Sequence, residues 1–401
     1  MLESDTAAIQ ADRSGPIQTA ILPDRPRACS VVPLAPACST ARLSNSPPSP
    51  ARSPISRDEC PLVAVVVVNW NGLEDTCECL RSLLAQTWPR VEILVVDNGS
   101  ANGEADAIER EFGTRVRLFR HAHNLGFTGG NNPPMRLALE EGRARYIALL
   151  NNDAFAEPTW LERLVTAAEA DPEGGLFASH MVFVSDPERT ENAGTAILTT
   201  GEAIPRGRDR PRSEFDTPAT LLGACGGAVL YRAALLHELG TFRDDFFANF
   251  EDVDLSLRCA ATGHFTRFVP GAVVRHRLNA SIAKVRNDDF RVRSVRNLST
   301  AYWINMPRTV ILLNAPWLIL SWFLVPLLAP LLGQFDLARI LVRGRVRTIG
   351  ECRSIWRERR RLRPMRRGNP LRIWWLQRSC VRVYLGFLVQ VVLLRRRRYM
   401  E

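Results

Sequence analysis

The 401-residue sequence contains a single lysine, Lys284, and lacks several common motifs. It has neither the G-x-G-x-x-G spacing of dinucleotide-binding folds nor the Walker spacing, so hydride transfer and P-loop hydrolysis lose their usual support. Its nine cysteines form no C-x-x-C pair, which argues against a zinc ribbon or a disulfide framework and favours the cytosol. A charged segment followed by an apolar run is missing near residue 1, so no secretory signal is expected.

Charge is distributed unevenly along the chain. The whole sequence has 52 basic and 42 acidic residues, a net charge of +10. Residues 301–401 hold 20 arginines against four acids, a net of +16, which leaves 32 basic and 38 acidic residues in 1–300, a net of −6. An acidic body is therefore followed by a cationic tail.

The first 59 residues differ in composition from the rest. They contain nine of the 26 prolines, many small and polar residues, and no sustained apolar period. Such a segment buries too little apolar surface to offset the entropy of ordering, which predicts a disordered N-terminal extension. The length suffices for two or three domains, and we expect a catalytic domain over residues 60–300 and a membrane-associated helical region over 301–401.

Continuous β-branched runs alternate with helical patterns after residue 60. Strands are predicted at residues 63–68, 91–96, 115–121 and 145–150, and helices at 75–86 and 134–142. This order indicates βαβ units and an α/β fold with a doubly wound sheet, whose ligands bind beyond the carboxyl ends of the strands. Polar clusters follow three of these strands, at residues 69–71, 97–100 and 151–153.

The second half of the body is less regular. Strands are predicted near residues 177–184, 227–231 and 272–276, and helices at 158–170, 233–239 and 252–262. The polar segment 202–218 is predicted to be a mobile loop.

The tail begins with an uncharged stretch, residues 309–335, that is long enough to cross a bilayer. A single crossing would put the arginines of residues 339–398 on the face opposite the body, against the positive-inside tendency. A kinked, re-entrant or interfacial helix pair is therefore favoured, and residues 383–394, followed by four arginines, suit an interfacial helix. Tryptophans beside apolar stretches favour a membrane surface over nucleic acid.

Five segments carry residues suited to chemistry, and each has a structural alternative. The Asp97 carboxylate either accepts hydrogen bonds from a nucleobase or ribose, or caps the next helix. The glycine-rich segment 124–132 suits a diphosphate or sugar, or is an ordinary loop. Asn151-Asn152-Asp153 suits Mg²⁺ or Mn²⁺, or opens a turn. One of the acids at 251–254 acts as a general base, or these acids stabilise the helix through its dipole. His276 either binds a ligand or has a structural role.

Together these segments resemble the inverting glycosyltransferases of family 2, and most closely the bacterial rhamnosyltransferase-like branch. The matching sequences are VVVVNWNG at 65–72, CLRSLLAQTWP at 79–89, EILVVDNGS at 92–100, NLGFTGGNN at 124–132, LLNNDAF at 149–155, GACGGAVLYR at 223–232, FRDDFFANFEDVDLSLR at 242–258 and VVRHRLNAS at 273–281. The resemblance covers about residues 60–300 and implies a GT-A fold, a nucleotide-sugar donor and Mn²⁺ or Mg²⁺.

The resemblance also implies roles for individual residues. It makes Asp252 the general base with Glu251 as its acidic neighbour, and Asp153 and His276 the metal-binding residues. The implied donor-binding residues are Asn69, Asn71, Asp97, Asn124, Gly126, Asn131 and Asn151, and the implied acceptor loop is Gly223, Ala224 and Cys225. Pro133-Pro134, Gly226-Gly227 and the asparagine at 151 depart from the family pattern.

The function expected from these assignments is transfer of a sugar from a nucleotide-diphosphate donor to a cell-envelope glycan or lipid-linked acceptor. The family branch suggests rhamnose from dTDP-rhamnose. The tail would hold the protein at the cytoplasmic face of the membrane, and no nucleic-acid partner is expected. The alternative is a catalytically degenerate nucleotide-sugar-binding partner in a polysaccharide assembly complex.

Overall fold

The computed structural model describes residues 60–278 and 287–381, together with Val383 and Leu385. The predicted extension at 1–59 and most of the predicted helix at 383–394 lie outside the described residues. The strands are β1 (Val63–Asn69), β2 (Val91–Asn98), β3 (Arg117–His121), β4 (Tyr146–Leu150), β5 (Ala154–Ala156), β6 (Gly174–Phe183), β7 (Thr190–Asn192), β8 (Thr195–Ile197), β9 (Ala203–Pro205), β10 (Ala219–Leu221), β11 (Ala228–Arg232) and β12 (Phe265–His276). The helices are α1 (Leu73–Leu84), α2 (Glu104–Phe112), α3 (Gly126–Glu141), α4 (Trp160–Ala170), α5 (Ala233–Leu239), α6 (Glu251–Ala261), α7 (Asp288–Asn305), α8 (Arg308–Leu313), α9 (Ala315–Ile319), α10 (Val325–Leu328), α11 (Phe335–Gly350), α12 (Cys352–Arg361) and α13 (Pro370–Leu376).

The main sheet combines parallel and antiparallel strands. Its order is β10-β12-β6-β11-β4-β1-β2-β3, with β5 and β7 paired to β12 and β6. Strands β3, β2, β1 and β4 are parallel to one another, whereas β11 is antiparallel to both β4 and β6. The predicted α/β class and doubly wound sheet are confirmed, and the sheet is mixed.

The strand order reverses beside β1. The chain places β2 and β3 successively on one side of β1 and then β4 on the other side. A crevice forms outside the carboxyl ends of the strands at such a reversal, and it is where ligands bind in open α/β sheets. Because β1 ends at Asn69 and β4 at Leu150, Asn69 and Asn151 lie at this crevice.

Strand β1 is buried on both faces, as its continuous β-branched run predicts. Val63, Val65 and Val67 face an apolar cluster that includes α1 and α4, whereas Ala64 and Val66 face a second cluster with α3 and α5. Complete burial of one such side chain contributes roughly 1.5–3 kcal/mol. The strand that carries Asn69 is therefore rigidly held.

The cysteines behave as packing residues. The seven cysteines within the described residues are all free, and Cys77 and Cys79 are buried on α1. Burial raises the pKa of the Cys77 thiol to about 11, which keeps it protonated and unreactive at neutral pH. The structure thus agrees with the expectation that the cysteines form no disulfide framework, as far as the described residues extend.

Helix α3 begins eight residues earlier than the predicted helix at 134–142. Residues 126–132, predicted as a loop, form its first two turns, and Pro133 and Pro134 lie inside it. Tertiary contacts override the low helix propensity of this segment: Asn132 Nδ2 donates to the Phe242 carbonyl at 3.0 Å and to Asp244 Oδ1 at 2.7 Å. The two prolines supply no amide donors, so the Gly129 and Gly130 carbonyls lose their helical partners.

Two further segments differ from the prediction. Residues 104–112, for which no element is predicted, form α2, and the expected mobile loop at 202–218 contains β9 and a 3₁₀ turn at Arg212–Phe215. Phe215 packs with Ala193 and Phe268 in a small apolar cluster. One large apolar side chain thus holds this otherwise polar segment in place.

The helices of the tail pack against the body through α6. A third apolar cluster joins Val253 and Leu257 of α6 to Met306, Val310 and Ile373 of the tail. Helix α7, which leads into the tail, adds two hydrogen bonds, because Asn297 donates to the backbone carbonyls of residues 248 and 249 just before α6. The tail is part of the support of α6.

One segment of the tail is strongly apolar. Helices α9 and α10, with the turns at Leu320–Leu324 and Ala329–Leu332, form a helical segment, Ala315–Leu332. Among the described residues it alone is long and apolar enough to cross a membrane, and only 22% of it is buried within the protein. Leu327 and Leu331 are 68% and 80% exposed, so the segment presents apolar side chains outward.

Candidate functional site

The carboxyl ends of β1 and β2 carry a buried polar network. Asn69 and Asp97 are paired in register, and Asn69 Nδ2 donates to Asp97 Oδ1 at 2.9 Å, Ser100 Oγ at 3.1 Å and Glu104 Oε2 at 2.9 Å. The Ser100 amide donates to Asp97 Oδ2 at 3.1 Å. Asp97 therefore stabilises the turn after β2 and does not cap α2, whose N-cap residue is Gly103. It also lies at the predicted ligand edge.

This network continues toward the end of β4. Thr76 Oγ1 donates to Asn69 Oδ1 at 2.7 Å and accepts from Asn152 Nδ2 at 3.0 Å. Thr76 is fully buried on α1, and sequence reasoning did not identify it because threonine on a helix carries no distinctive signal. Through Thr76 the structure connects two predicted clusters, those at Asn69 and at Asn151-Asn152-Asp153.

The segment before α3 is held by asparagine side chains. Asn124 Oδ1 accepts from the Gly126 amide at 2.8 Å, and Asn98 Nδ2 donates to Asn124 Oδ1 at 3.1 Å. Asn71 Oδ1 accepts from the Ala101 amide at 2.8 Å. Asn71 and Asn124 thus fix the loops that follow β1 and β3.

Gly126 is required by the backbone at the start of α3. Its φ is +76°, and a Cβ there would overlap the Phe247 carbonyl oxygen. We expect Gly126→Ala to lower the free energy of unfolding by about 2–4 kcal/mol, because left-handed strain and overpacking add. Gly142→Ala, at the end of the same helix, is the control: its φ is +65° with open space around it, so it incurs the strain alone. Urea titration measures both, and equal losses would exclude the steric effect.

Asn131 is buried inside α3 and does not line the crevice. It is 2% exposed, and its Nδ2 donates to the Phe127 carbonyl one turn earlier in α3 at 2.8 Å. The structure thus places Asn131 within the helix rather than at the crevice surface. Its assignment to donor binding stays a prediction.

Asp153 and His276 lie together beside β5 and β12. His276 Nε2 is 3.1 Å from Asp153 Oδ1, and His276 Nδ1 is 3.6 Å from Glu191 Oε2 on β7. The pairing of β5 with β12, with Ala154 opposite His276, brings these residues together. Glu191 is 5% exposed. The sequence did not identify it, because a single acid on a three-residue strand gives no pattern.

The two carboxylates determine the charge of the imidazole. Burial by itself lowers the pKa of His276, but hydrogen bonding to Asp153 and the nearby Glu191 carboxylate outweigh it and raise the pKa to about 9. The imidazole is therefore protonated at neutral pH without a bound cation. His276 Nδ1 and Glu191 Oε2 are also buried without a hydrogen-bond partner, so this cluster retains unused polar atoms.

A metal ion would find a partial donor set here. Within residues 60–278 and 287–381, no group of three or more His, Cys, Asp or Glu side chains is arranged to hold a metal ion. Mg²⁺ and Mn²⁺ are commonly held by one or two protein ligands together with substrate phosphates. Asp153 and His276 fit that incomplete arrangement, in which substrate phosphates would supply the remaining oxygens.

The turn Gly226-Gly227 lies between the end of β4 and the start of α6. The Asn151 amide donates to the Gly227 carbonyl at 2.8 Å, and the Gly226 amide donates to Asp252 Oδ2 at 2.8 Å. A Cβ on Gly227 would lie 3.0 Å from Asn151 Nδ2. This glycine pair lets the chain pass closely between Asn151 and Asp252.

Glu251 and Asp252 are adjacent but occupy different environments. Glu251 is 6% exposed and its Oε2 has no hydrogen-bond partner, so burial, with the Asp252 charge adding, raises the pKa of Glu251 well above its usual range. Burial also raises the pKa of Asp252, but the amides of Gly226 and Val253 oppose that rise by donating to its carboxylate. Burial thus favours the neutral form of Glu251, whereas the two amides favour the ionised form of Asp252, and this asymmetry is the pattern of a carboxyl pair with divided roles.

The predicted acceptor loop lies beside this pair. Gly223 accepts from the Thr195 amide at 2.9 Å, and the Ala224 amide donates to Ser256 Oγ of α6 at 3.2 Å. Burial, followed by the charge of Asp252, raises the pKa of Cys225 well above its usual range. The loop is thus anchored to β8 on one side and to α6 on the other.

Comparison with known proteins identifies the relatives of this chain. Residues 64–240 match the family model described as "Glycosyl transferase family 2". An uncharacterized glycosyltransferase of Haemophilus influenzae is 27% identical over 133 residues, 33% of this chain and 40% of that protein. The O-antigen biosynthesis protein RfbC of Myxococcus xanthus is 30% identical over 218 residues, 51% of this chain and 16% of that protein. The chain thus spans less than half the length of these two relatives.

A longer alignment is found with a mycobacterial enzyme. The N-acetylglucosaminyl-diphospho-decaprenol L-rhamnosyltransferase of Mycobacterium tuberculosis is 27% identical over 243 residues, which cover 55% of this chain and 76% of that protein. The rhamnosyltransferase-like branch, which the sequence motifs resemble, is thus represented among the relatives.

Solved structures of glycosyltransferases also align with the chain. GalNAc-T7 with UDP, GalNAc and Mn²⁺ has a TM-score of 0.48 at 16% identity and covers 62% of this chain and 49% of that chain. A mannosyltransferase of Pyrobaculum calidifontis with GDP-Man and Mn²⁺ has a TM-score of 0.45 at 17% identity, covering 75% of this chain and 91% of that chain.

Proposed function

We propose that the chain is a family 2 glycosyltransferase that transfers a sugar from a nucleotide-diphosphate donor with inversion at the anomeric carbon. The match of residues 64–240 to the family model supports this proposal. The observation that carries this proposal is the position of Asp252. The Gly226 amide donates to Asp252, and the adjacent Gly227 carbonyl accepts from the Asn151 amide. One turn therefore links Asp252 to Asn151, which lies two residues before Asp153. A candidate base and a candidate metal ligand therefore face one crevice.

The donor is proposed to lie across the reversal of strand order. Asp97 would accept hydrogen bonds from the nucleobase or ribose, with Asn69 and Ser100 holding its carboxylate in place. The segment from Asn124 to Gly126 would border the sugar diphosphate. We propose dTDP-rhamnose as the donor, supported by the likeness to a mycobacterial L-rhamnosyltransferase.

Asp153 and His276 are proposed to hold Mn²⁺ or Mg²⁺ together with the donor diphosphate. The cation, when bound, neutralises negative charge on the leaving diphosphate. His276 must lose its proton to become a ligand, and Glu191 and Asp153 orient its ring. Glu191 is also 3.5 Å from the Arg208 guanidinium, which fixes the glutamate from outside the cluster.

Asp252 is proposed to act as the general base. Its carboxylate removes the proton of an acceptor hydroxyl while that oxygen attacks the anomeric carbon from the face opposite the diphosphate. The bond between the sugar and the diphosphate breaks in the same displacement, and the nucleoside diphosphate leaves with the electron pair. The Gly226 and Val253 amides hold the carboxylate in one orientation, which positions the base before the acceptor arrives.

The acceptor is proposed to be a cell-envelope glycan or a lipid-linked glycan that reaches the loop 223–225 from a membrane surface. Exposed apolar side chains on the segment Ala315–Leu332, including Phe323 at 66%, support contact with a membrane. The reduced cysteines support the cytoplasmic face. An interfacial position of this segment agrees with the arginines of α11 and α12 remaining on the same side as the body.

The metal assignment is tested by thermal shift with dTDP-rhamnose, with and without Mn²⁺. We expect Mn²⁺ to increase the donor-induced rise in Tm for the native protein and to add nothing in Asp153→Ala, because one carboxylate ligand is gone. Asp216→Ala, which removes an exposed aspartate outside the crevice, is the matched control. An undiminished Mn²⁺ effect in Asp153→Ala would contradict the assignment.

Donor hydrolysis with Mn²⁺ separates the transferase from a catalytically degenerate binding partner. A transferase releases nucleoside diphosphate slowly when water replaces the acceptor, and this release depends on the same metal and donor groups. Binding of the donor without any release of nucleoside diphosphate, with or without added cell-envelope lipid extract, would favour the degenerate partner.

A further inference from the structure

Three arginines surround the carboxyl end of α7. Arg359 Nη1 donates to the Trp303 carbonyl at 2.6 Å and the Ile304 carbonyl at 3.2 Å. Arg366 also donates to the Ile304 carbonyl, and its Nη1 is 3.4 Å from the Met306 carbonyl. Because two guanidinium groups share one carbonyl oxygen, they lie side by side, and Arg308 follows Met306 by two residues.

These arginines differ from other arginines on or beside α7. Arg296 on α7 pairs with both Asp245 and Glu351, and Arg347 on α11 pairs with Asp289. Throughout the part of the chain that the structure describes, Arg308, Arg359 and Arg366 pair with no carboxylate, and Arg366 Nε is buried without a hydrogen-bond partner. The three form a cationic cluster, hereafter the α7 arginine cluster, whose charge the described residues do not balance.

The helix end accounts for only part of this positive charge. The carboxyl terminus of a helix is equivalent to about −0.5 of an elementary charge, which favours one nearby arginine but leaves a surplus of about +2.5 on three. The pKa values agree: burial and then the charges of Arg359 and Arg308 lower the pKa of Arg366 to about 10. Burial and Arg308 likewise lower the pKa of Arg359. A bound anion would relieve this repulsion.

Apolar side chains flank the α7 arginine cluster. Leu312, one helical turn after Arg308 on α8, is 74% exposed, and Trp356, one turn before Arg359 on α12, is 56% exposed. Side chains three or four residues apart lie on the same face of a helix. Cations beside an exposed leucine and an exposed tryptophan match the boundary between the headgroups and the acyl chains of a bilayer.

We propose that the α7 arginine cluster binds the phosphate group of an anionic membrane lipid. Arginine forms charge-assisted, frequently bidentate hydrogen bonds with phosphate, and Leu312 and Trp356 would contact the lipid on the apolar side. The proposal rests on the membrane contact proposed above and deepens it: one defined headgroup site lies at the end of the helix that supports α6. Donor hydrolysis needs no lipid, so the transferase assignment and the lipid site fail separately.

The test measures co-sedimentation of the full chain with vesicles at 150 mM salt. We expect binding to vesicles that contain phosphatidylglycerol and weaker binding to pure phosphatidylcholine. Arg308→Gln should weaken binding to phosphatidylglycerol about tenfold or more. Arg308 is exposed and makes no hydrogen bond or ion pair with the described residues, so the substitution leaves the fold intact. Arg353→Gln, at an exposed arginine on α12, removes the same charge outside the cluster and should weaken binding at most a few-fold.

Two results would overturn the proposal. Equal weakening by Arg308→Gln and Arg353→Gln would mean that vesicles sense the overall charge of the tail rather than a site. The second result has two parts: inorganic pyrophosphate stabilises the native protein but not Arg308→Gln against heat, and the variant binds vesicles as tightly as the native protein. That result would assign the cluster to a soluble phosphate compound. Arg366→Lys, which keeps the charge but loses the planar donor set, should give an intermediate affinity for phosphatidylglycerol.

Discussion

Replacing Asp252 with asparagine is expected to lower kcat by about 10²–10⁴-fold, the usual contribution of a general base. Asparagine has nearly the same shape and can still accept from the Gly226 or Val253 amide, so the local fold should persist. It cannot take a proton from the acceptor at neutral pH. Release of nucleoside diphosphate in the presence of acceptor measures kcat, and thermal shift with the donor alone should stay near the native value.

Glu251→Gln is the matched control for Asp252→Asn. Burial, with the Asp252 charge adding, raises the pKa of Glu251 well above its usual range, which favours the neutral form that glutamine mimics at the same size. We expect a change in kcat of less than tenfold. If Glu251→Gln lost as much activity as Asp252→Asn, the division of roles between the two carboxyl groups would be wrong.

Asp254→Ala should cause the largest loss of stability, about 3–5 kcal/mol, because it leaves a buried charge without its partner. Asp254 is completely buried, its Oδ2 lies 2.9 Å from Arg258 Nε, and its Oδ1 accepts from Asn305 Nδ2 at 2.8 Å. Arg258 also donates to the backbone carbonyls of Leu239 and Thr241. Denaturation in urea, followed by circular dichroism, measures the loss.

An exposed pair with the same spacing provides the comparison. Asp289 and Arg293 on α7 are also four residues apart, but both side chains are more than a third exposed. Asp289→Ala should therefore cost at most about 1 kcal/mol. Replacing Asp254 and Arg258 together with leucine and methionine should recover part of the stability, because no buried charge then remains. A double variant as unstable as Asp254→Ala would indicate that packing, not charge, is decisive.

The sequence was sufficient to predict the centre of the fold. The run Val63–Val68 could only be a strand buried on both faces, and its neighbours Val91–Val96 and 145–150 follow the same pattern. Since parallel strands end at one edge, the polar residues after them were expected to meet there. Asn69 donates to Asp97, and Thr76 donates to Asn69 and accepts from Asn152, so these hydrogen bonds confirm that they do.

Features that depend on long-range contacts could not be predicted. The start of α3 is set by contacts of Asn132 with residues 110 and more positions away, which no local pattern contains. Glu191 reaches His276 only because β7 pairs with β6 beside β12. In both cases the deciding interaction joins residues far apart in the sequence, and local propensity gave the wrong boundary or no signal.

The apolar cluster shared by α6 and the tail has a mechanical consequence. Val253 and Leu257, one and five residues after Asp252, share an apolar cluster with Val310 and Ile373. Removing residues 309–401 would therefore expose part of this core. With the tail resting on a bilayer, the same packing would act as a spacer of fixed height between the lipid surface and the base. Acceptors whose reactive hydroxyl stands at that height would be preferred over shorter or longer ones.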